Sequence, residues 1–170
     1  MKKLTLILSI VFILFFCSCS SSRHVDDLSH DCKVLEAAYA GDEAVLREEL
    51  KRGCNPQGNT SQVNEPIYHA IANGQRGSVA ILLDAGIDVN FDWGIKGGNL
   101  LTNAVQFEQI QIVELLLARG AKTERTAGHS PLYRSIIIDN EKIQNLLISN
   151  GAKLNELDKS ALEQLGLGER

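Results

Sequence analysis

The stretch AILLDAGIDVN at residues 80–90 has counterparts before and after it in the chain. These are LREELKRGCN (46–55), VELLLARGAKT (113–123) and QNLLISNGAKL (144–154). Each contains one glycine, and these four glycines (Gly53, Gly86, Gly120 and Gly151) are 33, 34 and 31 residues apart. Self-similarity at a nearly fixed period of this length is typical of stacked structural repeats. In such a stack each unit buries its apolar face against its neighbours.

Each of these stretches follows another apolar segment. These preceding segments are CKVLEAAYAGD (32–42), EPIYHAIANGQ (65–75), NLLTNAVQFEQ (99–109) and SPLYRSIIIDN (130–140). Around the start of each following stretch, apolar residues recur three and four positions apart, as at Val79, Leu82 and Leu83. This is the spacing of one helix face. The glycine at its end suits a left-handed C-cap, where a Cβ would be strained. The sequence therefore predicts two short helices per repeat.

The paired segments resemble the ankyrin repeat, whose first helix opens Thr-Pro-Leu-His-x-Ala and whose second ends Leu-Leu-x-x-Gly-Ala. The resemblance covers residues 32–167, with departures at six places. Tyr68, Thr102 and Tyr133 stand at the usual His, Asn99-Leu100 replaces Thr-Pro, and Cys54 and Ile87 replace the Ala after the glycine. It implies an all-α solenoid of about four helix-turn-helix repeats with β-hairpin connections. The expected repeats are 32–64, 65–98, 99–129 and 130–159, followed by a C-terminal capping helix at 160–167.

The N-terminus has the pattern of a secretory signal. Lys2 and Lys3 precede 13 uncharged residues (4–16), whereas a bilayer-spanning helix needs about 20 apolar residues. We therefore expect residues 1–18 to be a cleaved signal peptide. Its end, FILFFCSCSSS (12–22), resembles the lipobox of bacterial lipoproteins, which implies lipidation of Cys19, with Cys17 as the alternative. Residues 19–31 would then form a lipidated tether, and the Ser that follows Cys19 implies the outer membrane, facing the periplasm.

The charge of the chain excludes one class of partner. Without residues 1–18 it has 15 basic and 21 acidic side chains, a formal charge of −6. Nucleic-acid recognition needs basic patches that neutralise phosphates. We expect no nucleic-acid partner, and we expect the lipid to provide the membrane contact.

Two further cysteines lie inside the repeats. Cys32 opens the first helix of repeat one, and Cys54 follows its second helix. Antiparallel helices bring these two ends together, so a disulfide is feasible in an oxidising periplasm. Alternatively, both are buried free thiols that serve as small hydrophobes.

The sequence shows no recognisable catalytic or metal-binding motif. The four histidines (His24, His30, His69 and His129) are dispersed, without the ligand spacing of a zinc site. The stretch GIKGGN (94–99) lacks the Gly-Lys-Ser/Thr ending of a phosphate-binding loop. The sequence predicts neither an enzyme nor a cofactor or metal site.

The resemblance implies a partner-binding surface formed by the hairpin tips and the exposed ends of the first helices. The candidate residues are Tyr39, Asn73, Asp92, Trp93, Ile95, Lys96, Gln106, Phe107, Arg125 and His129. Trp93 is the single tryptophan, a residue type that is enriched in binding hot spots. It either contacts a partner or folds back onto its own hairpin beside Phe91.

The leading functional hypothesis is a membrane-tethered periplasmic protein-binding module. By resemblance, it is an immunity protein that binds and blocks a secreted toxin, for example a lipase delivered by type VI secretion. One alternative is a periplasmic scaffold that supports an endogenous envelope or oxidative-stress enzyme. An alternative of another class is a hydrolase or a thiol-redox protein on a repeat scaffold. Apart from its partner, we expect the protein to be a monomer.

Overall fold

The computed structural model of the chain describes residues 32–58, 65–94, 97–125 and 128–168. The predicted signal peptide (1–18), the lipidation site at Cys19 or Cys17, and the tether (19–31) lie outside these residues. Within the described ranges, none of the helices has the length and apolar character needed to cross a membrane.

The described part of the chain is helical, which confirms the predicted all-α class. Its helices are α1 (Val34–Ala40), α2 (Glu43–Lys51), α3 (Glu65–Ala72), α4 (Arg76–Asp84), α5 (Leu100–Gln106), α6 (Ile110–Ala118), α7 (Pro131–Ile137), α8 (Glu141–Ser149) and α9 (Glu156–Gln164). The first eight form pairs, and each pair contains one first helix and one second helix of the predicted repeats.

The pairs stack in sequence order. The first helices α1, α3, α5 and α7 pack in a row, and the second helices α2, α4, α6 and α8 form a parallel row. Aliphatic side chains from both rows fill the space between them, including the fully buried Ile71, Leu82, Leu101, Leu116 and Leu147. The apolar face of each pair is therefore covered by the next pair, as the repeat period predicts.

The glycine after each second helix has the predicted left-handed conformation. The φ angles of Gly53, Gly86, Gly120 and Gly151 are 97°, 101°, 83° and 85°. The next residue donates its N–H to a carbonyl five residues back, as Cys54 does to Glu49 at 3.1 Å and Ala152 does to Leu147 at 3.0 Å. This is the hydrogen bond of a Schellman C-cap. It turns the residue after the glycine inward, and Cys54, Ile87 and Ala152 are buried.

The first helices of repeats three and four have side-chain N-caps. The Asn99 side chain accepts the N–H of Thr102 at 2.7 Å, and the Ser130 hydroxyl accepts the N–H of Tyr133 at 3.1 Å. Asn99 therefore serves as the N-cap in place of the usual threonine, because its side-chain oxygen accepts an N–H group that has no acceptor within the helix.

The capping helix begins earlier than predicted. It starts at Glu156, whereas the sequence placed its start at residue 160. The reason is a capping box: Asn155 accepts the N–H of Asp158 at 2.8 Å, and Asp158 accepts the N–H of Asn155 at 3.2 Å.

The predicted β-hairpin connections are much reduced. In the described residues the connecting loops contain one isolated antiparallel bridge, between Asp92 and Asn99, and no longer strand. The Trp93 N–H donates to the Gly98 carbonyl at 2.8 Å and closes this loop.

A disulfide joins Cys32 to Cys54 across the first repeat, with their Cα atoms 5.9 Å apart. Glu49, which is only 4% exposed, lies beside the bond, with its Oε2 atom 3.4 Å from the Cys54 sulfur. The disulfide fixes the start of α1 against the end of α2.

Candidate partner-binding cavity

A cavity of about 630 Å³ lies between the first helices of repeats two to four and the loops that precede them. We call it the inner cavity. It is lined by Glu65, Tyr68, His69, Trp93, Gly97, Gly98, Thr102, Asn103, Gln106, Phe107, Arg125, Gly128, His129, Arg134 and Leu157. Five of the predicted partner-binding residues are among them: Trp93, Gln106, Phe107, Arg125 and His129.

Aromatic rings form one wall of the inner cavity. Tyr68 meets Trp93 and Phe107 edge to face, with ring centroids 5.9 Å apart in both pairs. Trp93 also meets Phe91 edge to face at 5.0 Å. The two interpretations of Trp93 are therefore compatible in space, since its ring rests on Phe91 and also lines the cavity. Rings in this arrangement are favourable contacts and hold each other in place.

Arg125 lies behind the surface of the cavity. Its side chain is 3% exposed and pairs with the Asp92 carboxylate through Nε at 3.0 Å and Nη2 at 2.9 Å. Its remaining donors reach the Gly94 carbonyl at 3.0 Å and the His129 carbonyl at 3.2 Å. This fork-shaped pairing suits the planar guanidinium group. Arg125 and Asp92, both predicted to contact a partner, thus connect successive loops and position Trp93 between them.

His129 connects the cavity to the capping helix. Its Nδ1 atom lies 3.0 Å from the Asp158 carboxylate, and its ring stacks on Tyr133 with centroids 3.9 Å apart. Asp158 is fully buried and also accepts the N–H of Ser130 at 3.2 Å. The ring of His129 is therefore held in place by helix α9 on one side and helix α7 on the other.

The sequence interpretation missed a row of cavity residues that occupy the same position in successive first helices. They are His69, Asn103 and Arg134. His69 Nε2 lies 3.6 Å from a Glu65 oxygen, and Asn103 donates to the Gly97 carbonyl at 3.0 Å. The Nε atom of Arg134 is buried without a hydrogen-bond partner in the part of the chain that the structure describes. An alignment of the repeats could have revealed this row, because residues one period apart lie side by side in a solenoid.

The other predicted contact residues lie at or beyond the edge of the cavity. Tyr39 is 56% exposed, and its ring meets that of His69 at 5.9 Å. Asn73 is exposed at the end of α3 and donates to the His69 carbonyl at 2.8 Å. Ile95 and Lys96 lie outside the described residues.

One group of side chains comes near to metal-ligand spacing. Ligand atoms of Cys32, Glu49 and Cys54 lie within 4.8 Å of one another. Both sulfurs are joined in the disulfide, and a metal binds the thiolate form of cysteine. In the oxidised chain this group is therefore a structural bridge.

One ion pair outside the cavity changes the pKa of a lysine. The Glu156 carboxylate raises the pKa of Lys159 through a 2.7 Å hydrogen bond and through its negative charge. Lys159 is exposed on α9, so this ion pair lies on the surface of the capping helix.

Stacked helix pairs that share one glycine-capped period define a helical repeat protein. A family model described as ankyrin repeats (three copies) matches residues 34–127, more than half of the chain, and the chain belongs to this family. It is also similar to an ankyrin repeat and KH domain-containing protein of Caenorhabditis briggsae. The two are 29% identical over 128 residues, which are 72% of this chain and 5% of that protein. This chain thus spans only a small part of the relative's length.

Membership of this family favours a protein-interaction module. Repeat stacks present extended surfaces on which partners are held, and ankyrin repeats typically act as non-enzymatic scaffolds. The inner cavity lies on such a surface, because it crosses the first helices of three successive repeats.

Proposed function

We propose that this chain is a membrane-tethered protein-binding module whose partner occupies the inner cavity. The observation that carries the proposal is the cavity itself, with an aromatic wall on one side and polar side chains on the other. Aromatic rings that are already held in place bury a large area at little entropic cost, which is the property of a binding hot spot.

We further propose that the partner is a secreted toxin and that the chain is its immunity protein at the periplasmic face of the outer membrane. Three features support this step: the N-terminal pattern that resembles a lipoprotein signal, the acidic charge and the compact repeat stack. A tethered inhibitor would meet an incoming toxin at the envelope, before the toxin reaches its target.

A paired experiment in the native host tests the proposal. The full chain, with an affinity tag after Arg170, is crosslinked in intact cells, and its partner is identified by mass spectrometry. In parallel, a deletion strain is challenged with toxin-delivering sister cells. The immunity proposal expects one secreted partner and loss of resistance that is restored by the full chain.

The outcomes of this experiment separate the alternatives. A deletion strain that stays fully resistant would show that the immunity role is wrong. A resident envelope enzyme as partner would instead support the scaffold function. Substitution of Cys19, compared with substitution of Cys17, tests the tether, because only loss of the lipidated cysteine should release the chain from the membrane fraction.

A further inference from the structure

Arg134 differs from the other charged side chains of the inner cavity. It lies on α7, is half-buried, and its Nε atom is inaccessible to solvent and without a hydrogen-bond partner among the described residues. A buried donor that makes no hydrogen bond costs the protein its desolvation energy. The Nε donor of Arg134 therefore adds no hydrogen bond to the stability of the folded chain.

The other ionisable groups at this end of the cavity have partners of their own. Arg125 is neutralised by Asp92, and the His129 ring lies against Asp158. The remaining acid of the cavity, Glu65, is on α3 beside His69. Helix α5 packs between α3 and α7, so Glu65 and Arg134 occupy opposite ends of the cavity. Among the described residues Arg134 itself forms no ion pair, and its Nε atom has no hydrogen-bond partner.

We propose that Arg134 is the anchor for an Asp or Glu side chain on a protruding segment of the protein partner. A guanidinium group presents its donors in a fork that fits a carboxylate, and such charge-assisted pairs are stronger than neutral hydrogen bonds. The aromatic wall would take an apolar residue next to that acid. Leu157, which is 52% exposed at the rim, extends the apolar contact beyond the cavity.

This inference rests on the proposed protein-binding function and adds the chemistry that the partner must carry. The partner is a protein segment and not a nucleic acid, since the chain has a formal charge of −4 and would repel phosphates. Exposed Gln106 and Leu157 border the cavity and offer contacts to residues that flank the bound acid.

A displayed library of random peptides tests the inference without knowledge of the natural partner. The library is selected against the purified full chain in detergent, and in parallel against the Arg134→Met and Arg134→Glu variants. Methionine keeps much of the apolar stem of arginine and removes only its charge and donors. Arg76→Met is the matched control, because Arg76 is an exposed arginine on α4 that does not line the cavity.

Peptides selected by the unmodified chain and by Arg76→Met should be enriched in Asp or Glu beside an aromatic or aliphatic residue. Arg134→Met should lose this preference and bind those peptides at least tenfold more weakly, and Arg134→Glu should select Lys or Arg instead. The melting temperature of Arg134→Met should be no lower than that of the unmodified chain. Replacement of an arginine with a purely structural role would lower it. Acidic preference that survives Arg134→Met would overturn the inference, and so would a library that yields no acidic sequences.

The failure of this inference can be told apart from the failure of the proposed function. A natural partner that binds Arg134→Met and Arg134→Glu as tightly as the unmodified chain would leave a binding module but refute the anchor. If the occupant is instead a second copy of the chain, sedimentation will show a dimer that Arg134→Glu dissociates, and the protein-partner assignment is wrong.

Discussion

At the scale of single residues, Trp93 combines two tasks. One part of its ring packs on Phe91 and Tyr68, and another part lines the inner cavity. The Trp93 N–H closes the loop by donating to the Gly98 carbonyl. Arg125 stabilises the same loop through hydrogen bonds to the Asp92 carboxylate and the Gly94 carbonyl. A side chain fixed in this way loses little freedom when a partner binds, so it is a strong candidate for a hot spot.

We predict that Trp93→Ala weakens partner binding by more than about 2 kcal/mol, the threshold of a hot-spot residue. The variant should also melt earlier, because the ring is half-buried against two aromatic neighbours. Binding is therefore measured by titration calorimetry well below the melting temperature of the variant. Ile148→Ala serves as the control, since Ile148 is 56% exposed on α8 and is not part of the cavity lining. Equal affinities of Trp93→Ala and the parent chain would remove Trp93 from the binding surface.

The sequence revealed only part of this site, for a physical reason. Trp93 and Phe107 could be found because the resemblance to ankyrin repeats maps partner contacts to hairpin tips and to the ends of the first helices. The sequence placed Arg125 among the partner contacts and missed Arg134, because sequence does not show which arginine has an acceptor within the fold. What separates them is the acceptor within reach: Asp92 lies 2.9 Å from Arg125, whereas the Nε atom of Arg134 has no hydrogen-bond partner among the described residues.

At the scale of the helix pair, the turn between the two helices requires a left-handed residue. Gly41 and Gly74 occupy this position in the first two repeats, with φ angles of 76° and 71°. Glu108 and Asp139 occupy it in the next two, with φ angles of 54° and 56°. The sequence showed the breaks but not their shared conformation, because a glycine signals left-handed backbone whereas a glutamate does not.

We predict that Gly74→Ala destabilises the chain by about 1–2 kcal/mol, the cost of a left-handed residue that carries a Cβ. The added Cβ would also lie 2.8 Å from the Gln109 side-chain oxygen, which must move. The matched control is Glu108→Ala, because that position already holds a Cβ at positive φ. Its loss of the Glu108–Asn140 contact on the surface should change stability by less than about 0.5 kcal/mol. Denaturant unfolding measures both, and equal effects would contradict the strain argument.

The capping helix α9 depends on the buried carboxylate of Asp158. This group accepts hydrogen bonds from the N–H groups of Ser130 and Asn155 and contacts the ring of His129. We predict that Asp158→Ala destabilises the chain by roughly 2–4 kcal/mol, since it leaves buried donors without an acceptor.

The adjacent Lys159 provides the control for this prediction. It forms an exposed ion pair with Glu156 on the same helix, and such surface pairs contribute little. Lys159→Ala should therefore leave the unfolding midpoint unchanged. If Asp158→Ala were as stable as the parent chain, α9 would be held by apolar packing alone.

At the scale of the whole molecule, the polar contacts between repeats follow the repeat period. Arg125 bonds to Asp92 across 33 residues, the Lys122 N–H donates to Asn90 across 32, and Arg119 bonds to Asp84 across 35. Repeats two and three are thus joined by polar contacts as well as by apolar packing. The repeat period determines which residues become neighbours, so the stacking of the helices could be predicted from the sequence. The roles of individual side chains could be predicted less fully.

A stack of this kind needs extra support at its ends, where a repeat has only one neighbour. At the C-terminal end, Asp158 of α9 accepts the N–H of Ser130 at the start of repeat four. At the start of the described chain, the Cys32–Cys54 disulfide closes repeat one across a separation of 22 residues. We predict that the double variant Cys32→Ala, Cys54→Ala loses about 3 kcal/mol of stability, the loop-entropy value for a ring of this size.

The loss should be local, because each repeat contacts only its neighbours. Hydrogen exchange measured by mass spectrometry should accelerate first at residues 32–58 and leave residues 128–168 nearly unchanged. The unmodified chain treated with a reductant should behave like the double variant, and the double variant should not respond to reductant. The native oxidised chain should show neither thiol to an alkylating reagent. Uniform acceleration along all repeats would contradict this account, because it would mean that the stack opens as one cooperative unit whose stability the disulfide shares with every repeat.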